Sequence, residues 1–302
     1  MSAGNLSRFV QSPLNAAIFS WYPARVLRCY VRTLGRVYFS KRPRERDRHL
    51  VALRETAGRA GRAAVSAGEL ERRVLHGICD HYFEKMLMAY WGLRKIRPYL
   101  LSQSRLIGPD LLDNALHQGR GVILSTGHFG AVEFLPATLA LRGYPVTMVV
   151  NYKTARLKRT LEQMGVVLRV ELLDAAEGSV IPRALSALRR GRIFITELDA
   201  MEVWKPTADK VMSFFGRRVR LDRAVELLHR RTGAPILLGL MERVGRQNYQ
   251  LVLEAPQEHH AAPTGLGPDA LLLKRLEHYI YDAPDHWYIW DELYHLDQLK
   301  TA

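Results

Sequence analysis

The chain has 302 residues, 48% hydrophobic and 9% aromatic, enough to bury one large α/β core with or without a helical extension. Its two cysteines, Cys29 and Cys79, show no Cys-x-x-Cys or Cys/His ligand spacing, which argues against a disulfide framework and a zinc site and for a reduced compartment. The formal charge is +14, and residues 1–100 hold 19 Lys plus Arg against 7 Asp plus Glu, so +12 of it precedes the α/β pattern. Such a surface attracts anionic lipid, nucleic acid or an acidic protein, and charge by itself does not choose among them.

The first twenty residues contain Arg8 and Pro13 and lack the apolar stretch of a secretory signal, so neither cleavage nor export is predicted. No run reaches the length of a clean transmembrane helix. Residues 9–39 interleave Phe19, Trp21, Tyr22, Val26, Leu27, Tyr30 and Val31 with Arg25, Arg28, Arg32 and Arg36. That composition suits a helix lying in a membrane interface, and equally an amphipathic helix packed on its own core. A charged break at 41–48 and a small-residue stretch at 54–68 follow, then a helical pattern over 69–99.

After Ile107 the signals alternate. Strands are predicted at 121–126, 145–151, 166–170, 192–199, 235–243 and 249–255, and helices at 109–118, 131–142, 155–164, 179–190 and 222–232. Alternation of this kind implies a mostly parallel central sheet flanked by helices. The organisation expected is a basic, helical, membrane-contacting region over 1–100 and an α/β catalytic domain over 101–302.

In open α/β sheets ligands bind beyond the carboxyl ends of strands. The strand at 121–126 ends on Gly127-His128-Phe129-Gly130, with Glu133 at the start of the next helix. The glycines permit a tight turn, and that turn would let Glu133 fold back onto the imidazole. The pair suits acyl transfer to an alcohol, which needs a base at the hydroxyl and a carboxylate to fix that base's tautomer. A structural histidine near a helix-surface glutamate has the same spacing. Other clusters offer less. Ser125 lacks the first glycine of a nucleophile elbow. His76 and His81 lie on an apolar helix, and His259-His260 have no partner ligands, so no metal site is expected. Neither a phosphate-cradling glycine loop nor a helix-turn-helix, stacking-aromatic or zinc signature for nucleic acid is present. Phe214 and Phe215 fit an acyl groove or core packing, and Arg217, Arg218 and Arg220 fit a grip on phosphate or a solvated turn.

The stretch Gly119 to Leu124, followed by Gly127-His128-Phe129-Gly130 and Glu133, resembles the bacterial lipid A late acyltransferases and the related phosphatidylinositol mannoside acyltransferases. The likeness extends through Ile107-Gly108, Phe214-Phe215-Gly216, Thr232-Gly233-Ala234-Pro235, Ala283-Pro284, Trp287 and Trp290. It implies a glycerophosphate-acyltransferase-like α/β sheet with an N-terminal membrane-contacting region. It implies His128 as base with Glu133 as its partner, acyl carrier protein or acyl-CoA as donor, and a lipid or glycolipid hydroxyl as acceptor, with no cofactor. The setting it implies is the anionic cytoplasmic face of the bacterial inner membrane, with peripheral or shallow attachment. Asn151, Lys153 and Arg156 stand where relatives carry an Arg-rich signature, and Glu197-Leu198-Asp199 stands in place of Asp-x-Asp. With Phe215 and Arg218, these complete the expected substrate contacts. A non-catalytic lipid- or carrier-binding protein is the alternative.

Overall fold

A computed structural model describes residues 13–60, 67–152, 155–178, 180–200, 211–221, 223–245, 247–256 and 267–293. Lys153 and the histidine pair at 259 and 260 lie outside them, as does the side chain of Arg156. The core is a seven-stranded sheet of order β1-β9-β8-β2-β5-β3-β4. Its strands are β1 (Ser104–Ile107), β2 (Val122–Thr126), β3 (Val146–Val150), β4 (Glu171–Asp174), β5 (Ile193–Glu197), β8 (Ile236–Arg243) and β9 (Tyr249–Glu254), while β6 (Val211–Phe214) and β7 (Arg217–Arg220) form a separate hairpin. Every residue of β2 is buried, as expected for a central strand covered on both faces. The β8–β9 pairing is antiparallel and the other pairs of this sheet are parallel, so the sheet is mostly parallel, as the sequence implies.

Helices α1 (Pro13–Trp21), α2 (Ala24–Lys41), α3 (Pro43–Ala60), α4 (Ala67–Tyr90) and α5 (Leu93–Gln103) precede most of the sheet. Between and beyond the strands come α6 (Pro109–His117), α7 (Leu135–Ala140), α8 (Ala155–Leu168), α9 (Val180–Arg189), α10 (Ala224–Thr232) and α11 (Pro268–Asp282). The pattern at 9–39 is interrupted at Pro23, whose extended backbone (φ −67°, ψ 154°) starts α2 afresh. One face of α2 buries Leu27, Val31, Tyr38 and Phe39, while Trp21, Tyr22, Val26 and Val37 stay exposed. The core is continuous from Phe19 in α1 to Leu293, so the N-terminal helices and the sheet share it. Among the described residues no helix is long and apolar enough to cross a membrane.

One predicted strand is misplaced. Residues 166–168 close α8, and the strand begins only at Glu171. Val166 and Val167 are 80% and 54% exposed while Leu168 is buried, so this apolar run follows helical rather than strand geometry. Arg169, at φ 57°, ends the helix in the left-handed region.

Candidate active site

The register of two neighbouring strands builds the site. β2 and β5 pair in parallel with Thr126 opposite Glu197. Two residues beyond that pair, the chains present His128 and Asp199 to each other at the carboxyl end of the sheet. The Asp199 carboxylate accepts hydrogen bonds from the His128 backbone N–H (3.0 and 3.1 Å) and meets His128 Nδ1 at 2.9 Å. Trp287 Nε1 donates to the same carboxylate at 2.7 Å. Asp199 is wholly buried, and a side chain at Gly127 would press on both it and Leu276.

The other ring nitrogen, Nε2, faces the Glu197 carboxylate at 3.5 Å, and both of these side chains are partly exposed. Burial alone would lower the imidazolium pKa, but Glu197 and then Asp199 outweigh it and push His128 up to about 10. Burial also raises Glu197 above the usual carboxylate range, helped by Asp199 and Glu133. Against its own burial, Asp199 is held low by His128 and the bonds from His128 and Trp287.

Glu133 does not take the expected place on the imidazole. Its carboxylate lies 3.5 Å from Lys85 Nζ and 4.0 Å from His81 Nε2, both on α4, and Asp199 occupies His128 Nδ1. The physical reason is local: after Gly130 the chain tightens into a 3-10 turn at Val132–Phe134, which aims Glu133 toward α4. His81 is buried, stacked on Tyr288 at 3.4 Å between centroids, and kept neutral by that burial and by Lys85. Tyr288 also packs edge-on against the His128 ring.

The His128 turn is rigidly held. The N–H groups of Phe129, Gly130 and Ala131 donate to the carbonyls of Gly127, His286 and Met241. Gly130 has φ +60°, and a Cβ there would strike the Met241 carbonyl, so only glycine fits. Arg243 donates to the Gly130 carbonyl at 2.6 Å and forks onto Glu84 of α4 through two 2.8 Å bonds. With the amides of residues 128–131 engaged, they are not open donors for an oxyanion.

Beside this polar cluster opens an apolar slot of about 100 Å³. Val132, Pro136, Met148, Val150, Met164 and Leu168 are among its walls, and among the described residues Glu133 and Glu197 are its polar lining. A partly exposed histidine, held by a buried carboxylate and 3.5 Å from a second carboxylate that lines an apolar slot, is suited to chemistry on the head of an acyl chain. Residues 76–294 match the family described as bacterial lipid A biosynthesis acyltransferase. The chain belongs to this family. Membership makes the protein an acyltransferase that acts on a lipid acceptor, and the matched span runs from within α4 through the sheet to the Trp287 segment. No curated protein matches the chain.

The remaining expected contacts fall in two groups. Asn151 is exposed at the end of β3, one residue beyond slot-lining Val150, and Arg156 lies in the first turn of α8. Phe215, by contrast, is wholly buried among Trp287, Trp290 and Tyr281, so it is core rather than groove. Arg217 is buried, donating to Glu55 and the Leu293 carbonyl, while its neighbour Arg218 is exposed on the hairpin. Ser125 is buried within β2, with no exposed hydroxyl to serve as a nucleophile. The sequence reading missed Asp199 as the imidazole's partner, and the signal available for it was the matching two-residue offset beyond two adjacent parallel strands. Lys85, His81 and Tyr288 carried no such signal.

Proposed function

We propose that the protein transfers a fatty acyl chain from a thioester on acyl carrier protein or coenzyme A to a hydroxyl of a lipid or glycolipid, with His128 as general base and Asp199 as its orienting carboxylate. The observation that carries this reading is the His128 ring, fixed at Nδ1 by buried Asp199, with Nε2 3.5 Å from Glu197, whose side chain lines the slot. The acyl chain lies in the slot. Lipid closing over the site removes water, which favours the neutral forms of His128 and Glu197 and moves the shared proton toward Glu197. Nε2 then takes the proton of the attacking hydroxyl as oxygen bonds to the thioester carbon. The tetrahedral oxyanion collapses, the C–S bond breaks, and the departing thiolate recovers the proton from Nε2.

Positive charge for the oxyanion comes from Lys85, held near the slot by Glu133. Glu133 therefore acts on the donor side of the reaction rather than on the imidazole. Attachment is peripheral, at the cytoplasmic face of the bacterial inner membrane, supported by the basic N-terminal hundred residues and the exposed Trp21.

The test is transfer from labelled acyl carrier protein and acyl-CoA to lipid extracts, with folding checked by circular dichroism. His128→Ala is expected to abolish transfer, and Asp199→Asn to lower it by roughly 10² to 10⁴-fold. Glu133→Gln spares the Nδ1 bond and is expected to cost less than Asp199→Asn. Turnover at the wild-type rate by folded His128→Ala would sink the mechanism, and a Glu133→Gln loss exceeding that of Asp199→Asn would return the orienting role to Glu133.

A further inference from the structure

A second concave site lies across α4 from the catalytic turn. Arg25, Arg28, Arg32 and Arg36 line one side of a groove of about 760 Å³, with His76, Gln103, Gln247 and Asn248 opposite. Their spacing along α2 places the four guanidinium groups on one helical stripe. Among the described residues no acidic side chain lines the groove. Beneath it, the single carboxylate of Asp80 serves both Arg28, at 3.8 Å, and Arg32, at 2.7 Å. Arg25 donates to the Gln247 amide oxygen at 3.4 Å, and among the described residues neither Arg25 nor Arg36 has a carboxylate within ion-pair distance. The groove is thus lined by four guanidinium groups, two of which share the Asp80 carboxylate. Burial lowers the pKa of His76, and Arg32, Arg72 and Arg36 lower it further against a single opposing acid, Asp80, as a cationic groove requires.

Two observations indicate what such a groove receives. Trp21, Tyr22 and Val26 flank Arg25 and are 83%, 52% and 50% exposed, giving the arginine stripe an apolar border. Exposed aromatic and aliphatic side chains beside arginines suit the boundary between headgroups and acyl chains, and suit a free anion or a solvated acidic helix less well. The groove also has the right orientation. β8 runs parallel to β2, so the turn carrying Gln247 and Asn248 emerges at the same end of the sheet as His128.

We propose that this groove is a phosphate-binding site that seats the protein on anionic phospholipid headgroups, with Trp21, Tyr22 and Val26 entering the interface beside it. Guanidinium forks on α2 grip the headgroup phosphate, and the bilayer then meets the end of the sheet that holds the catalytic turn. The proposal deepens the membrane-surface reading and stands apart from the assignment of His128.

The experiment is sedimentation of the full chain with phosphatidylcholine vesicles, with and without phosphatidylglycerol, at low and high salt. Wild type is expected to bind the anionic vesicles and to release in salt. Arg25→Gln with Arg36→Gln is expected to weaken binding about thirty-fold, from about 1 kcal/mol for each charge at the surface. The control is Arg230→Gln with Arg231→Gln, exposed at the end of α10, where the chain enters β8 from the far end of the sheet. That pair is expected to change binding by less than about threefold, being beyond the screening distance. Equal losses in the two pairs would reduce the effect to net charge and overturn the proposal. It would also be overturned if the groove pair lost acyl carrier protein capture but kept vesicle binding, or if inorganic phosphate stabilised wild type while vesicles failed to bind. Transfer in neutral detergent micelles separates the two readings: the groove pair is expected to retain it, and its absence in wild type would count against the catalytic assignment alone.

Discussion

The two nitrogens of His128 meet carboxylates of opposite character. Asp199 is buried and already saturated by the His128 backbone and Trp287, so it holds its charge and fixes the ring. Glu197 is partly exposed and raised in pKa, so it can exchange a proton with Nε2. The pH dependence follows from this asymmetry. A base whose pKa is raised to about 10 by Glu197 and Asp199, against the pull of burial, is protonated at neutrality in the free protein. The kcat/KM profile is therefore expected to climb with pH through the alkaline range, since that profile reports the free enzyme. Glu197→Gln removes the stronger of the two charges that stabilise the imidazolium, which lowers the pKa of His128. The rising limb should then move to lower pH, as measured by pH–rate profiles of both proteins, and an unmoved limb would remove Glu197 from the proton path.

At the scale of elements, the His128 turn is a junction of β2, β8 and α4 more than a loop. Arg243 at the end of β8 bridges Glu84 of α4 and the carbonyl of Gly130, and its guanidinium and the Glu84 carboxylate are almost fully withdrawn from water. A buried pair of this kind adds little net stability, but removing one partner strands the other charge at a cost of about 3–5 kcal/mol. Arg243→Met is expected to destabilise the protein by that amount in denaturant titration. Arg243→Met combined with Glu84→Leu should recover much of the loss, because no charge is left stranded. A double variant no more stable than Arg243→Met would show that the pair's value lies in holding the Gly130 carbonyl.

Across the whole molecule, the slot exists because the β3–β4 edge of the sheet, α8 and Met88 of α4 leave an apolar gap between them, with the polar cluster at one end. In the proposed reaction its depth sets the acyl length that fits. Met164, on α8, forms part of the wall, and Met164→Ala removes three heavy atoms from a side chain that bounds the gap. Competition among acyl donors of different lengths, read by product mass, is expected to shift toward longer chains in this variant. An unchanged distribution would place the limit on chain length elsewhere. The same end of the sheet carries the arginine groove, so the proposed headgroup site and the His128 turn share one side of the fold.

Much of this plan was legible in the sequence, because the periodicity of apolar residues is a local property. The buried run at 122–126, the glycine-flanked His128 and the alternation of strands and helices all depend on near neighbours, and each stands where the sequence predicts it. Local pattern misled at 166–168, where exposure rather than composition decided between helix and strand. It also could not pair His128 with its carboxylate. Glu133 is five residues away and Asp199 seventy-one, yet the parallel register of β2 and β5 brings the distant acid to the ring and the 3-10 turn carries the near one to Lys85. The histidine and its glycine-flanked turn are features of the chain alone. Its partner, its pKa and the apolar slot beside it arise from contacts between segments far apart in sequence, and those exist only once the sheet has formed.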